Sequence, residues 1–263
     1  MQRPPDRKTP TVLFARGVSD WIRRVNQKHK QLAELRLTAE QKERLDRWAE
    51  TEFVYSTLKL EGADVTREQA AQIVSHIPDP GAVVEDDRAM GTLLASLRTV
   101  TLLARANGKA AELTGEVLLK LHSVPGAGFR RSAGDTSRVP KPVAPEHLPA
   151  LLESACRWYT AESFAELNPV EQASIVLLRL IDMQPFEHAN ERTALVAASL
   201  FTLRSELPPI IVKPEMHSAY RKALEEGSRM NTKPMVELTA EAVEKSLAEL
   251  VEEVRRQEGK KTG

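Results

Sequence analysis

The sequence predicts a mostly α-helical fold with one short extended or hairpin excursion. Three observations carry that expectation. Two capping boxes, Thr38-Ala-Glu-Gln41 and Thr66-Arg-Glu-Gln69, mark helix starts. Two long apolar runs, Ile175–Met183 and Thr193–Leu203, are apolar on several faces, as helices of a buried core are. One stretch, Val124–Pro145, concentrates glycine and proline too densely for a helix.

Taken in order, Met1–Pro10 holds three prolines and is expected to be disordered. The helix opening at Thr38 carries Leu45, Trp48, Phe53, Val54 and Leu58. Thr66 opens the next, and residues 76–84, with Pro78, Pro80 and Gly81, read as a loop. A helix follows from about Glu85 to Ala106, then a short one over Thr114–His122. Val124–Pro145, with glycines at 126, 128 and 134 and prolines at 125, 140, 142 and 145, is expected to project from the helical body. Asn168-Pro169 is an N-cap followed by proline at the first helical position; Ile175–Met183 and Asn190–Leu203 are expected as two helices joined by Gln184–Ala189, with Pro208-Pro209 as a stop after the second. The organisation expected is N-terminal helices over 11–84, a core domain over 85–255 and a flexible tail over 256–263.

Composition narrows the classes. The 263 residues are 41% hydrophobic, enough for a substantial core. Lys+Arg and Asp+Glu are both 37, so the global charge excess of a nucleic-acid binder is missing and no nucleic-acid partner is expected. A single cysteine, Cys156, cannot form an internal disulfide, and the N-terminus lacks the apolar core of a signal peptide. No apolar run approaches the ~18–20 residues that span a bilayer. The expectation is a cytoplasmic protein with no membrane partner.

The chemistry concentrates in Gln184-Pro-Phe-Glu-His-Ala-Asn-Glu-Arg192, between the two apolar runs. A tight connector there would leave the opening of the second helix, at Ala189 or Asn190, with unpaired backbone N–H groups and a positive dipole end. Arg192 adds a permanent cation to the same place. Such an opening suits a phosphate-sized anion. Read plainly, Asn190 is an N-cap and Arg192 a first-turn arginine; read functionally, both bind an anion.

This stretch resembles the signature of the Fic/Doc (Fido) family, His-Pro-Phe-x-Asp/Glu-Gly-Asn-Gly-Arg-x-x-Arg, whose members transfer AMP or phosphate from nucleotides to protein hydroxyls. Pro185, Phe186, Asn190 and Arg192 match it. Gln184 stands in place of the catalytic His, His188 in place of the metal-binding acid, Ala189 and Glu191 in place of two glycines, and Leu195 in place of the second Arg. Ala189–Leu195 is also similar to the Doc branch, apart from Glu191. Thr57-Leu-Lys-Leu-Glu61-Gly62 resembles the inhibitory motif of the N-terminally inhibited class. Leu121-His122 with Gly128-Phe129-Arg130 resembles the run before the family's target-binding flap, and His147-Leu-Pro149 with Trp158 the helix after it. Asn168–Glu171, Leu207-Pro-Pro209, Tyr220–Leu224 and Pro234–Val236 are similar to the later helices. The resemblance spans about residues 45–240 and implies a Fic-like helical domain with a short flap.

What it implies for chemistry is mixed. A glutamine amide has no pKa in the working range, so Gln184 cannot act as the general base; His188 is the candidate for a displaced one. Mg²⁺ prefers oxygen ligands, so His188 argues against the family's metal site, although the adjacent Glu187 offers a carboxylate. The six histidines show no metal-ligand spacing, and no metal site is predicted. Phe186 reads as a core anchor. Glu191 would repel phosphate unless it turns away, and Glu61 is expected within reach of Arg192 or of the N–H groups near Asn190. Thr57, Glu61 and Gly62 are the regulatory candidates, or simply a helix end before glycine. The flap, 130–143, would meet an unknown target protein, although Arg130, Arg131, Arg138 and Lys141 read as solvated surface charge. The leading reading is a catalytically impaired protein that binds ATP, AMP or another anion. An active transferase and an interaction module without nucleotide are the alternatives.

Overall fold

The computed structural model describes residues 20–76, 88–122, 128–133 and 141–261, with side chains described as far as 256. Helices follow one another as α1 (Asp20–Ala33), α2 (Ala39–Leu60), α3 (Arg67–His76), α4 (Arg88–Asn107), α5 (Gly115–Leu121), α6 (Leu148–Tyr159), α7 (Glu162–Ala165), α8 (Pro169–Met183), α9 (Asn190–Leu203), α10 (His217–Ser228) and α11 (Lys233–Lys261). Among the described residues there is no strand. The disordered stretch expected at Met1–Pro10 lies outside the described residues, as do most of the loop expected at 76–84 and flap residues 134–140. The parts of the expected excursion that are described, 128–133 and 141–144, run as irregular backbone.

Local chemistry places the helix starts where the sequence puts them. Gln41 and Thr38 exchange side-chain and backbone hydrogen bonds at 3.2 and 2.9 Å, and Gln69 and Thr66 do so at 3.2 and 2.8 Å. Asn168 and Glu171 form the same reciprocal cap before Pro169. α9 spans Asn190–Leu203, the range expected; it stops there because Glu206 adopts left-handed backbone (φ 62) and Leu207 N–H reaches back to Thr202 O at 3.0 Å. That closure satisfies the last carbonyls without proline. One end differs from expectation. α11 continues to Lys261, through residues expected to form a loose tail, because Glu, Arg, Gln and Lys are all good helix formers.

α9 forms the centre. Every residue from Thr193 to Thr202 is buried, and the helix packs against α8, α4, α5 and α2. Its buried hydroxyls are satisfied locally: Ser199 Oγ donates to Leu195 O at 2.8 Å and accepts from Ile210 N–H at 3.0 Å. α11 covers α8, α10 and α1 on one flank, and α2 closes the opposite approach to the start of α9.

The end of α2 decides what faces that start. Gly62 sits at φ +85, the left-handed position of a Schellman closure in which Ala63 N–H bonds Leu58 O and Gly62 N–H bonds Lys59 O, both at 3.0 Å. A Cβ at Gly62 would meet nothing within 4 Å, so the requirement for glycine is conformational and not steric. Gly62→Ala is therefore expected to cost about 1 kcal/mol of unfolding free energy, measured by urea denaturation; an unchanged midpoint would contradict the left-handed turn.

Candidate active site

Between α8 and α9 the connector Gln184–Ala189 is buried over Gln184–Phe186 and surfaces at Glu187 and His188, and the buried part of its backbone needs partners. Gln184 caps α8 in left-handed conformation (φ 43, ψ 66), and its N–H bonds Leu180 O at 2.9 Å. Phe186 N–H donates to Asn190 Oδ1 at 2.9 Å, and Asn190 Nδ2 returns a bond to Phe186 O at 2.7 Å. The residue before α9 is Ala189, in left-handed backbone at φ 56, a position that glycine would fill with less strain. Asn190 therefore does not serve as the side-chain N-cap: its Oδ1 and one hydrogen of its Nδ2 hold the connector.

Arg130 does the rest. It is only 3% exposed, which corrects its reading as a solvated flap charge. Its backbone N–H donates to Pro185 O at 2.9 Å, and its guanidinium donates to Gln184 O, Met183 O, Ser132 O and Val143 O. Five donors on a rigid fork let one side chain satisfy four carbonyls at once. Arg131 and Lys141 are exposed, and Arg138 lies outside the described residues.

Beneath the connector, the Phe186 ring is 1% exposed and stacks on His122, with ring centroids 3.7 Å apart and planes within 1°. His122 Nδ1 lies 3.0 Å from Thr193 Oγ1, and the Thr193 hydroxyl donates to Ala189 O at 2.7 Å. A hydroxyl has one proton, so Nδ1 must be the donor to Thr193, and the imidazole lone pair sits on Nε2. Burial, then the nearby charges of Arg192 and His188, push the His122 pKa down to about 4. The ring is neutral at pH 7.

The remaining candidates divide into those that meet and those that do not. Glu61 Oε2 lies 3.1 Å from Arg192 Nε, and the two side chains are 20% and 19% exposed. Burial lifts the Glu61 carboxyl above its ordinary range, Arg192 pulls it back, and the Glu191 carboxylate adds to the lift. Thr57, 2% exposed, supplies the carbonyl that accepts Glu61 N–H at 3.3 Å. Gln184 is buried at 7% exposure, whereas His188 is exposed on the outer side of the connector. Glu187 turns to the flap base, accepting from Ser132 Oγ at 2.6 Å and from the N–H groups of Arg131 and Ser132. Leu195 is fully buried. Glu191 does not face the anion position: it is 8% exposed and its Oε1 accepts from Arg221 Nη1 at 2.8 Å, which removes the expected clash with phosphate.

Sequence reading missed the roles of Arg221, Arg130, His122 and Thr193. Arg130 and His122 sit within runs similar to the family's, but no local periodicity shows that one is buried on four carbonyls and the other stacked on Phe186. For Arg221, thirty positions along the chain from Glu191, no local signal exists.

Among the described residues no three His, Cys, Asp or Glu side chains gather closely enough to hold a metal ion, and no helix is long and apolar enough to cross a membrane. Residues 110–202 match the model of the Fic/DOC family, and the chain carries a Fic-family domain. It is 27% identical over 203 residues to protein adenylyltransferase fic-1 of Caenorhabditis elegans, covering 74% of this chain and 40% of that protein. The chain thus spans about two fifths of the curated relatives it matches. In three dimensions it resembles Fic-1 of C. elegans (TM-score 0.73, 22% identity, 90% of this chain and 72% of that one) and a Fic domain-containing signaling protein from Bacteroides thetaiotaomicron (0.73, 22%, 87% and 95%). At those identities the structures speak for the fold alone.

The His122 geometry generates a test. Its pKa falls from an ordinary 6.5 to about 4 on folding, so the unfolded chain binds the proton more tightly. Stability contributed by the neutral ring is full above pH 6.5 and is lost as pH falls towards 4, by up to about 3 kcal/mol. Denaturation midpoints between pH 7 and 4 should fall, and His122→Asn should flatten the slope; an equally steep slope in the variant would contradict the buried neutral ring.

Proposed function

We propose that this Fic domain is a catalytically impaired, nucleotide- or anion-binding regulatory protein whose anion site is occupied by its own Glu61. The observation that carries the reading is the Glu61–Arg192 contact of 3.1 Å at the opening of α9. There a helix N-terminus and one guanidinium offer what a phosphate needs, and a carboxylate already takes it. Thr57 and Gly62 act by fixing where α2 ends and hence where Glu61 reaches.

The impairment rests on Gln184 and Leu195. A buried amide at the position of the family's base can orient a ligand but cannot remove a hydroxyl proton, and loss of a general base costs ~10²–10⁴ in rate. Leu195, inside the core, leaves no second arginine from that turn for a terminal phosphate. The donor set around the connector does not fit Mg²⁺, since His188 offers nitrogen and Glu187 is spent on Ser132. With a single arginine the site favours AMP or ADP over ATP. The target-protein contact, by this reading, falls to the flap, 130–143.

An active transferase is the second reading, favoured by relatives that carry the name protein adenylyltransferase. It would need another base: His188, exposed on the connector, Glu61 once released from Arg192, or the neutral His122, whose Nε2 carries the lone pair.

Calorimetric titration with AMP, ADP and ATP tests the proposal. AMP or ADP should bind at least as tightly as ATP, Arg192→Ala should abolish binding, and Glu61→Gly should strengthen it. Labelled ATP should transfer nothing measurable to protein, and Gln184→His alone should not restore transfer, because groups that act as a unit are non-additive. Robust labelling by the unaltered chain would establish the transferase instead, and silence from every nucleotide, Glu61→Gly included, would leave an interaction module.

A further inference from the structure

A helix leaves its last four carbonyls without intrahelical donors. In α2 these belong to Thr57, Leu58, Lys59 and Leu60. Thr57 O accepts from Glu61 N–H at 3.3 Å, Leu58 O from Ala63 N–H at 3.0 Å and Lys59 O from Gly62 N–H at 3.0 Å. The fourth, Leu60 O, stands immediately before Glu61 and accepts from Arg221 Nη2 at 2.9 Å. The other arm of that guanidinium, Nη1, donates to Glu191 Oε1 at 2.8 Å. One side chain on α10 thus ties the end of α2 to the first turn of α9. It also sets a cation against the negative end of the α2 dipole.

We propose that Arg221 and Glu191 form a second lock on this junction, positioning residues that hold Glu61 against Arg192. The reach of the Glu61 carboxylate depends on where α2 ends, and Arg221 fixes that point through Leu60 O. Glu191 and Glu61 are like charges at one helix opening, and an unpaired Glu191 carboxylate would disfavour the ionised state of Glu61. Arg221 neutralises Glu191 as Arg192 neutralises Glu61. Glu191, a departure from the family pattern, then strengthens closure without obstructing the anion position. A lysine at 221 would lack the fork that spans two acceptors.

The proposal rests on reading Glu61 as the occupant of an anion site, and its test separates the two. Hydrogen exchange on the full chain follows the amides of Glu61, Gly62 and Ala63 in the unaltered protein, Arg221→Gln, Arg221→Lys and Glu191→Ala. Arg221→Gln and Glu191→Ala should each speed exchange at those three amides on the order of ten-fold. The α8 and α9 core amides should hold, the double variant should add little, and Arg221→Lys should rescue only in part. Unchanged rates at 61–63, or acceleration spread evenly through α8 and α9, would overturn the lock. AMP titration is the second arm. Arg221→Gln should tighten AMP binding in the unaltered background and change nothing in Glu61→Gly. Weaker binding in both backgrounds would make Arg221 a ligand contact and overturn its role as a positioning residue. If AMP does not bind even Glu61→Gly, the anion-site reading fails, and the exchange rates still decide the lock.

Discussion

A connector whose first half is buried must find partners for its own backbone there, and the rest of the site follows from how Gln184–Ala189 does so. Arg130 gathers the carbonyls of Met183 and Gln184, while its own N–H takes that of Pro185. Asn190 takes both polar groups of Phe186. With those groups satisfied, the Phe186 ring can be driven down onto His122, and α9 starts at a fixed place with its N–H groups facing the end of α2. Removing a partner here leaves a buried carbonyl or N–H unpaired, at about 1–3 kcal/mol for each group.

The departures from the family pattern sort by where they fall on this frame. Ala189 keeps the left-handed turn that glycine would make, with some strain. Leu195 adds to the core, where its side chain is fully buried. Glu191 and Arg221 exchange a charge pair that keeps the first turn of α9 electrostatically balanced. Gln184 caps the end of α8 in left-handed backbone, with its N–H on Leu180 O. At each of these positions the side chain present meets the packing or hydrogen-bonding needs of the fold.

Much of the fold was legible because its signals are local. The caps at Thr38, Thr66 and Asn168 are reciprocal bonds between residues three apart, and the apolar runs before and after the connector declare two buried helices. Gly62 could be read as a helix end, and the resemblance added that Glu61 would face Arg192. What could not be read depends on chain segments far apart. Arg130 looks like one basic loop residue among several until four carbonyls are found around it. The turn of Glu191 towards α10 needs Arg221, and the neutral state of His122 needs burial under Phe186 and the charge of Arg192.

The central claim is that Glu61 occupies, through Arg192, the place of a ligand's phosphate. The Arg192 Nε–H resonance, followed by NMR while AMP is added, tests it most directly. In the unaltered chain the resonance should be shifted by its carboxylate partner and respond weakly to AMP. In Glu61→Gly it should begin at the position of a free guanidinium and move towards the paired position as AMP binds. An Arg192 resonance that responds to AMP equally in both proteins, or in neither, would contradict the account.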